Sequence, residues 1–143
     1  MAPRSIHLLI CATIALAACS PPQQVAASSS LTRACGPTDA VGLQLVIPVT
    51  QGEIDLFAPG WPEEGGESFT MEEDHHHDGL VIALCQGQGD QRRCTYATRG
   101  KLEIASQGAV FAGNVHADMP DGESIDVRFT ATETVVDGGL MCG

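Results

Sequence analysis

Aromatic residues make up only 4% of this chain, with one Trp, one Tyr and four Phe. So few rings leave no series of stacking platforms for bases or sugars. Basic residues are also scarce, seven Lys and Arg against eighteen Asp and Glu, for a formal net charge of −11. An acidic surface repels phosphates and anionic lipid heads, which excludes nucleic acid as a partner and electrostatic attachment to a membrane. The same charge favours solubility. The apolar run that starts at Leu8 and reaches Ala15 is about half of the roughly twenty residues a bilayer-spanning helix needs. There is no Cys-x-x-Cys pair, no Gly-x-Ser-x-Gly elbow, no His-Glu-x-x-His helix and no phosphate-cradling glycine loop. No segment keeps a helical repeat beyond two turns, and no internal repeat is present.

What the chain does have begins at its N-terminus. Met1-Ala2-Pro3-Arg4 supplies a positive start, Leu8 to Ala15 an apolar core, and Leu16-Ala17-Ala18 precedes Cys19. An ordinary export signal cut between Ala17 and Ala18 is the competing reading. The leucine three positions before Cys19, with two alanines between, resembles the lipobox of bacterial lipoproteins. That resemblance covers residues 1–19 only and no family is recognised for the rest. It implies a signal peptide over 1–18, a diacylglycerol thioether on Cys19 and a further acyl group on its freed N-terminus. Two or more chains are what stable anchoring takes. The implied location is the cell envelope, with the membrane as partner through the lipid, and Ser20 after the cysteine implies the outer membrane. Cys11 lies within the part removed.

The 143-residue chain less its first eighteen residues is long enough for one domain. Residues 20–30, Ser-Pro-Pro-Gln-Gln-Val-Ala-Ala-Ser-Ser-Ser, carry no charge and little to bury, which predicts a flexible tether. Its random-coil reach is about 15–20 Å. The expected organisation is therefore signal 1–18, lipidated cysteine and tether 19–32, and a single domain 33–143.

Four cysteines remain after Cys19: Cys35, Cys85, Cys94 and Cys142. An even number in an exported chain argues for disulfides, and four permit three pairings. The spacing leans to Cys85–Cys94, closing a short loop between strand-like runs, and Cys35–Cys142, tying the start of the domain to its end.

The hydropathy pattern is of period two, broken by turn chemistry, as in antiparallel β structure. Ile125, Val127, Phe129 and Ala131 alternate with Ser124, Asp126, Arg128, Thr130 and Thr132. Residues 109–117 alternate similarly, and Met119-Pro120-Asp121-Gly122 suits the reversal between them. Further strands are expected at 41–49, 53–57, 66–71, 80–85, 94–98, 101–106 and 138–142, with turns at Arg99-Gly100 and Gln107-Gly108. Leu80 to Leu84 is apolar throughout, as for a strand buried on both faces, although periodicity also permits a short buried helix. The expected fold is all-β: a small antiparallel sandwich or barrel of about eight strands, stapled by disulfides.

Chemistry-bearing residues gather at 63–78, where ten Asp, Glu and His occur without Lys or Arg. A zinc or copper site there would draw on His75 and His77, which share a face of an extended chain, with Glu73 and Asp78 beside them. The competing reading is a solvated acidic loop. No calcium loop of EF-hand spacing is present. Ser68 and Ser124 each follow Gly-Glu, and His116 is the one histidine placed to act as a base, but the alternation puts it on the wet face of its strand. Trp61, in Ala58-Pro59-Gly60-Trp61-Pro62, either anchors a partner or folds back over an open end of the domain. The sequence thus points to a lipid-anchored, non-enzymatic binding or structural domain, with divalent-metal binding as the alternative and no cofactor beyond the covalent lipid. It identifies no protein or envelope partner.

Overall fold

The computed structural model describes residues 23–24, 29–36, 39–72, 79–135 and 142. The signal segment, Cys19, residues 73–78 and the segment 136–141 lie outside these. The expectations for Glu73, His75, His77 and Asp78, for lipidation, and for a strand at 138–142 (Cys142 apart) therefore fall outside the described residues.

Ten strands account for nearly all the regular structure: β1 (Gln23–Gln24), β2 (Ser29–Cys35), β3 (Val41–Val49), β4 (Gly52–Pro59), β5 (Glu67–Met71), β6 (Val81–Gln86), β7 (Arg93–Tyr96), β8 (Arg99–Gln107), β9 (Val110–Asp118) and β10 (Ser124–Glu133). They form one curled sheet, a half-barrel, in the order β5-β8-β9-β10-β2-β3-β4-β6-β7, with β1 added beside β10. The only helical element among the described residues is a 3-10 turn at Gly89–Gln91.

Period-two patterning decides which face goes inward. In β10 the buried residues are Val127, Phe129 and Ala131, and in β4 they are Ile54, Leu56 and Ala58. Strands β2, β3, β4, β8, β9 and β10 send alternate side chains to the concave side, where Leu31, Leu43, Leu45, Ile47, Leu102 and Val115 are 1% exposed or less. Burying each such aliphatic side chain is worth about 1.5–3 kcal/mol against leaving it in water. Gly113 of β9 faces inward without a side chain, and the Phe129 ring of its cross-strand partner lies beside it.

The β9–β10 hairpin turns where Pro120 and Asp121 are expected to turn it. Gly122 N–H donates to the Met119 carbonyl at 3.0 Å and Met119 N–H to the Glu123 carbonyl at 2.8 Å. Gly122, at φ +87, takes the left-handed position that closes such a three-residue loop. The register that follows pairs Ser124 with Asp118 through to Thr132 with Val110.

Three expectations are corrected. The sheet is not purely antiparallel: β2 pairs with β10 in parallel, Ser29 opposite Ala131, and β1 does so at Gln23 opposite Val127. Pairing therefore starts within the segment expected to be tether, before residue 33. A ladder uses main-chain groups, so a serine run can join it, and Leu31 is fully buried there. Arg99-Gly100 is the start of β8 rather than a turn. The reason is that β7 and β8 are not hairpin partners: β7 pairs with β6, and β8 with β9. Ala97 N–H still donates to Ile82 of β6, while Thr98 N–H already donates to Asp118 of β9. One bent stretch of chain thus joins the two sides of the curled sheet, and Ile82 leans on Gly100, which has no Cβ to obstruct it.

Two disulfides are present. Cys85–Cys94 joins directly opposed residues of β6 and β7, and Cys35–Cys142 ties the end of β2 to the C-terminus across 107 residues. At the end of the sheet where β2 and β4 finish, the Trp61 ring packs edge-on against Phe111, centroids 5.5 Å apart. Trp61 folds back against the core. The opposite end, where β10 and β4 begin, carries the connections at 50–51, 87–92 and 119–123. No helix among the described residues is long and apolar enough to cross a membrane.

Candidate functional site

The convex face of β8, β9 and β10 carries the densest set of interacting polar side chains. Its arrangement follows from register. Alternate residues of three neighbouring strands fall into cross-strand rows: Arg99, Asp118 and Ser124; Lys101, His116 and Asp126; Glu103, Asn114 and Arg128. Side chains in such rows sit close enough to pair.

His116 lies at the centre. Its Nδ1 is 2.8 Å from Asp126 Oδ1 and its Nε2 is 3.3 Å from Asp118 Oδ1. Both ring nitrogens are donors only in the imidazolium, so two flanking carboxylates favour the charged form. The His116 pKa is accordingly raised, first by the Asp126 hydrogen bond and against partial desolvation. Ser124 Oγ donates to Asp118 Oδ1 at 2.6 Å. That bond, with the His116 charge, holds the Asp118 carboxyl below its ordinary range. Lys101 Nζ pairs with Glu103, which also meets Asn114, and the ammonium lowers the Glu103 pKa.

Beside these groups lies a shallow depression of about 260 Å³ lined by Lys101, Glu103, Asn114, His116, Asp126 and Arg128. A second, of about 470 Å³, shares Glu103 and Asn114 and extends over Ala105 and Ala112 to Glu67 and Ser68 of β5. Both are open troughs on the sheet surface.

The arrangement can hold and release a proton at His116, and it can offer alternating donors and acceptors to a solute. It does not assemble a nucleophile with its base. The Ser124 hydroxyl is committed to Asp118, and the two imidazole nitrogens face carboxylates. Ser68, on the outermost strand β5, stands opposite Glu103 and two strands away from His116. His116 is on the wet face, as the alternation indicates, with 45% of its side chain exposed. Asp118 and Asp126 are the partners that single-residue reasoning missed. The signal was available: once Pro120-Asp121 fixes the turn, counting outward sets His116 opposite Asp126.

A second polar network crosses the convex face further round the sheet. Arg92 reaches both Glu53 and Asp55 at 2.8 Å, and Gln44 Nε2 donates to Asp55 at 2.9 Å. The two carboxylates raise the Arg92 pKa further above its already high ordinary value. Among the described residues no group of three or more His, Cys, Asp and Glu has the geometry to hold a metal ion.

No protein-family model matches the chain, and no curated protein or solved structure is similar to it.

Proposed function

We propose that this chain is an envelope lipoprotein, fastened to the membrane, the outer one where there are two, by lipid on Cys19. Its β domain acts as a binding or structural module rather than as an enzyme. The observation that carries the reading is the export signal ending in Leu16-Ala17-Ala18-Cys19. Two features of the folded part support it. The domain joins its cysteines in two disulfides, which persist in the oxidising compartments outside the cytosol. Among the described residues the histidine-centred cluster ties the nearby serine to a carboxylate instead of activating it, which favours contact over turnover.

Inhibition of the lipoprotein signal peptidase in cells should leave a larger precursor in the membrane fraction. Intact-mass measurement of the mature protein should find acyl chains on residue 19 and no free thiol. A Cys19→Ala form that still partitions wholly into detergent overturns the reading, as does a mature product beginning at Ala18 without lipid.

A further inference from the structure

The pairing of β1 bears on how such a domain would lie on a bilayer. Gln23 is already part of the sheet, opposite Val127. Four peptide steps separate Cys19 from Gln23, and a fully extended chain of that length spans about 14 Å. Because β1 runs parallel to β10, the chain enters from the end where β10 begins, the end carrying the connections 50–51, 87–92 and 119–123. The other end of β10, at Glu133, is six residues beyond Val127, or about 20 Å along a strand. A lipid held within about 14 Å of Gln23 cannot let the domain stand on that far end with β10 upright.

Charge selects the same end. Around it Glu53, Glu72, Asp90, Asp118, Asp121 and Glu123 stand with four cationic groups, Arg92, Arg93, Arg99 and His116, of which Arg92 pairs with Glu53. At the far end Asp39, Glu63, Glu64, Glu67 and Glu133 face the single cation Arg33 among the described residues. Repulsion from anionic headgroups acts over a Debye length of about 8 Å at physiological salt. A domain tethered this closely feels that repulsion, and the end richer in cations feels it less.

We infer that the domain docks end-on against the phospholipid headgroup layer. The connections 50–51, 87–92 and 119–123 form the contact surface, and the Trp61 end points away from the bilayer. This rests on lipidation of Cys19. The end displayed outward is then the one carrying Arg33, Trp61 and the acidic residues 63–67, so a partner approaching from solution meets that surface first.

The test uses the mature acylated chain in phosphatidylethanolamine vesicles or nanodiscs containing a minority of phosphatidylglycerol and a gadolinium-chelate lipid. Amide relaxation enhancement should peak at residues 50–51, 87–92 and 119–123 and be weakest around 60–66 and 108–109. A flexible Gly-Ser insert between Pro22 and Gln23 should lower and level the enhancement while leaving the acyl mass unchanged. Enhancement that is uniform in the native-length chain, or greatest at the Trp61 end, overturns the docking and leaves the anchor standing. A mature chain with no acyl mass on Cys19 overturns both.

Discussion

The Arg33 guanidinium lies 4.2 Å from the centre of the Trp61 ring, while Arg33 Nε bonds to Glu133 at 3.2 Å. One cation thus presses the ring onto Phe111 and ties β2 to the end of β10. Trp61→Ala should destabilise the domain by about 2–3 kcal/mol, below the figure for a fully buried ring because Trp61 is half-buried. Arg33→Ala should cost only about 0.5–1 kcal/mol, the range for an exposed cation–π pair. Urea unfolding followed by Trp61 fluorescence for the arginine variant, and by circular dichroism for both, checks the ranking. An arginine variant as damaged as the tryptophan variant would contradict it.

His116 makes stability depend on pH in a definite direction. Its folded-state pKa is raised above the ordinary 6.5. The stabilisation is therefore complete below 6.5 and is lost as pH rises through the higher folded value. With 45% of the side chain exposed, solvent screening keeps the effect below about 1 kcal/mol. His116→Gln should remove this slope on the alkaline side, and Asp126→Asn should reduce it and bring the imidazole titration, followed by NMR, back toward 6.5. Asp118 is held low and acts at the other end of the scale, stabilising above its unfolded value and failing as acid protonates it.

The two disulfides should contribute unequally. Loop-closure entropy gives about 4.8 kcal/mol for the Cys35–Cys142 separation of 107 and about 2.6 kcal/mol for the Cys85–Cys94 separation of 9. Paired Cys→Ser variants, unfolded in urea without reductant, should keep that order. A larger loss from the short loop would mean that native packing around β6 and β7, and not chain entropy, sets the difference.

At Gly113 the backbone leaves no room for a side chain, since a Cβ there would stand 1.9 Å from the Glu103 carbonyl oxygen and 3.0 Å from Phe129 Cζ. Gly113→Ala should cost about 3 kcal/mol or prevent folding. Gly108 differs: its φ is +65 and nothing approaches within 4 Å. Asn tolerates that conformation, so Gly108→Asn should cost less than about 1 kcal/mol. Urea midpoints for the two variants give the comparison.

How far the sequence reaches depends on the range of the interaction. Alternation over 124–132, with Pro120-Asp121-Gly122 before it, is local information. It fixed the β9–β10 hairpin and its inward face, because a period of two admits one buried side once the turn is set. Val41 to Val49 was expected as a strand and is one, for the same reason. Ser29 to Leu31 shows no such pattern, and it becomes strand between two partners, Val46 and Leu45 of β3 and, about a hundred residues away, Ala131 to Glu133. Arg99-Gly100 has the composition of a turn, but the bonds from Ala97 to Ile82 and from Thr98 to Asp118 carry the chain straight through.

The sequence by itself determined the all-β class of the fold, the acidic balance of charge and the supply of paired cysteines. These follow from composition and from patterns a few residues long. Tertiary structure alone decided the parallel addition of β1 and β2 to β10, the strand order, the seating of Trp61 between Phe111 and Arg33, and the clasp of His116 by Asp118 and Asp126. Each of these is a contact between segments brought together by burying one shared apolar face, and that burial rewards no particular partner until the whole sheet has curled.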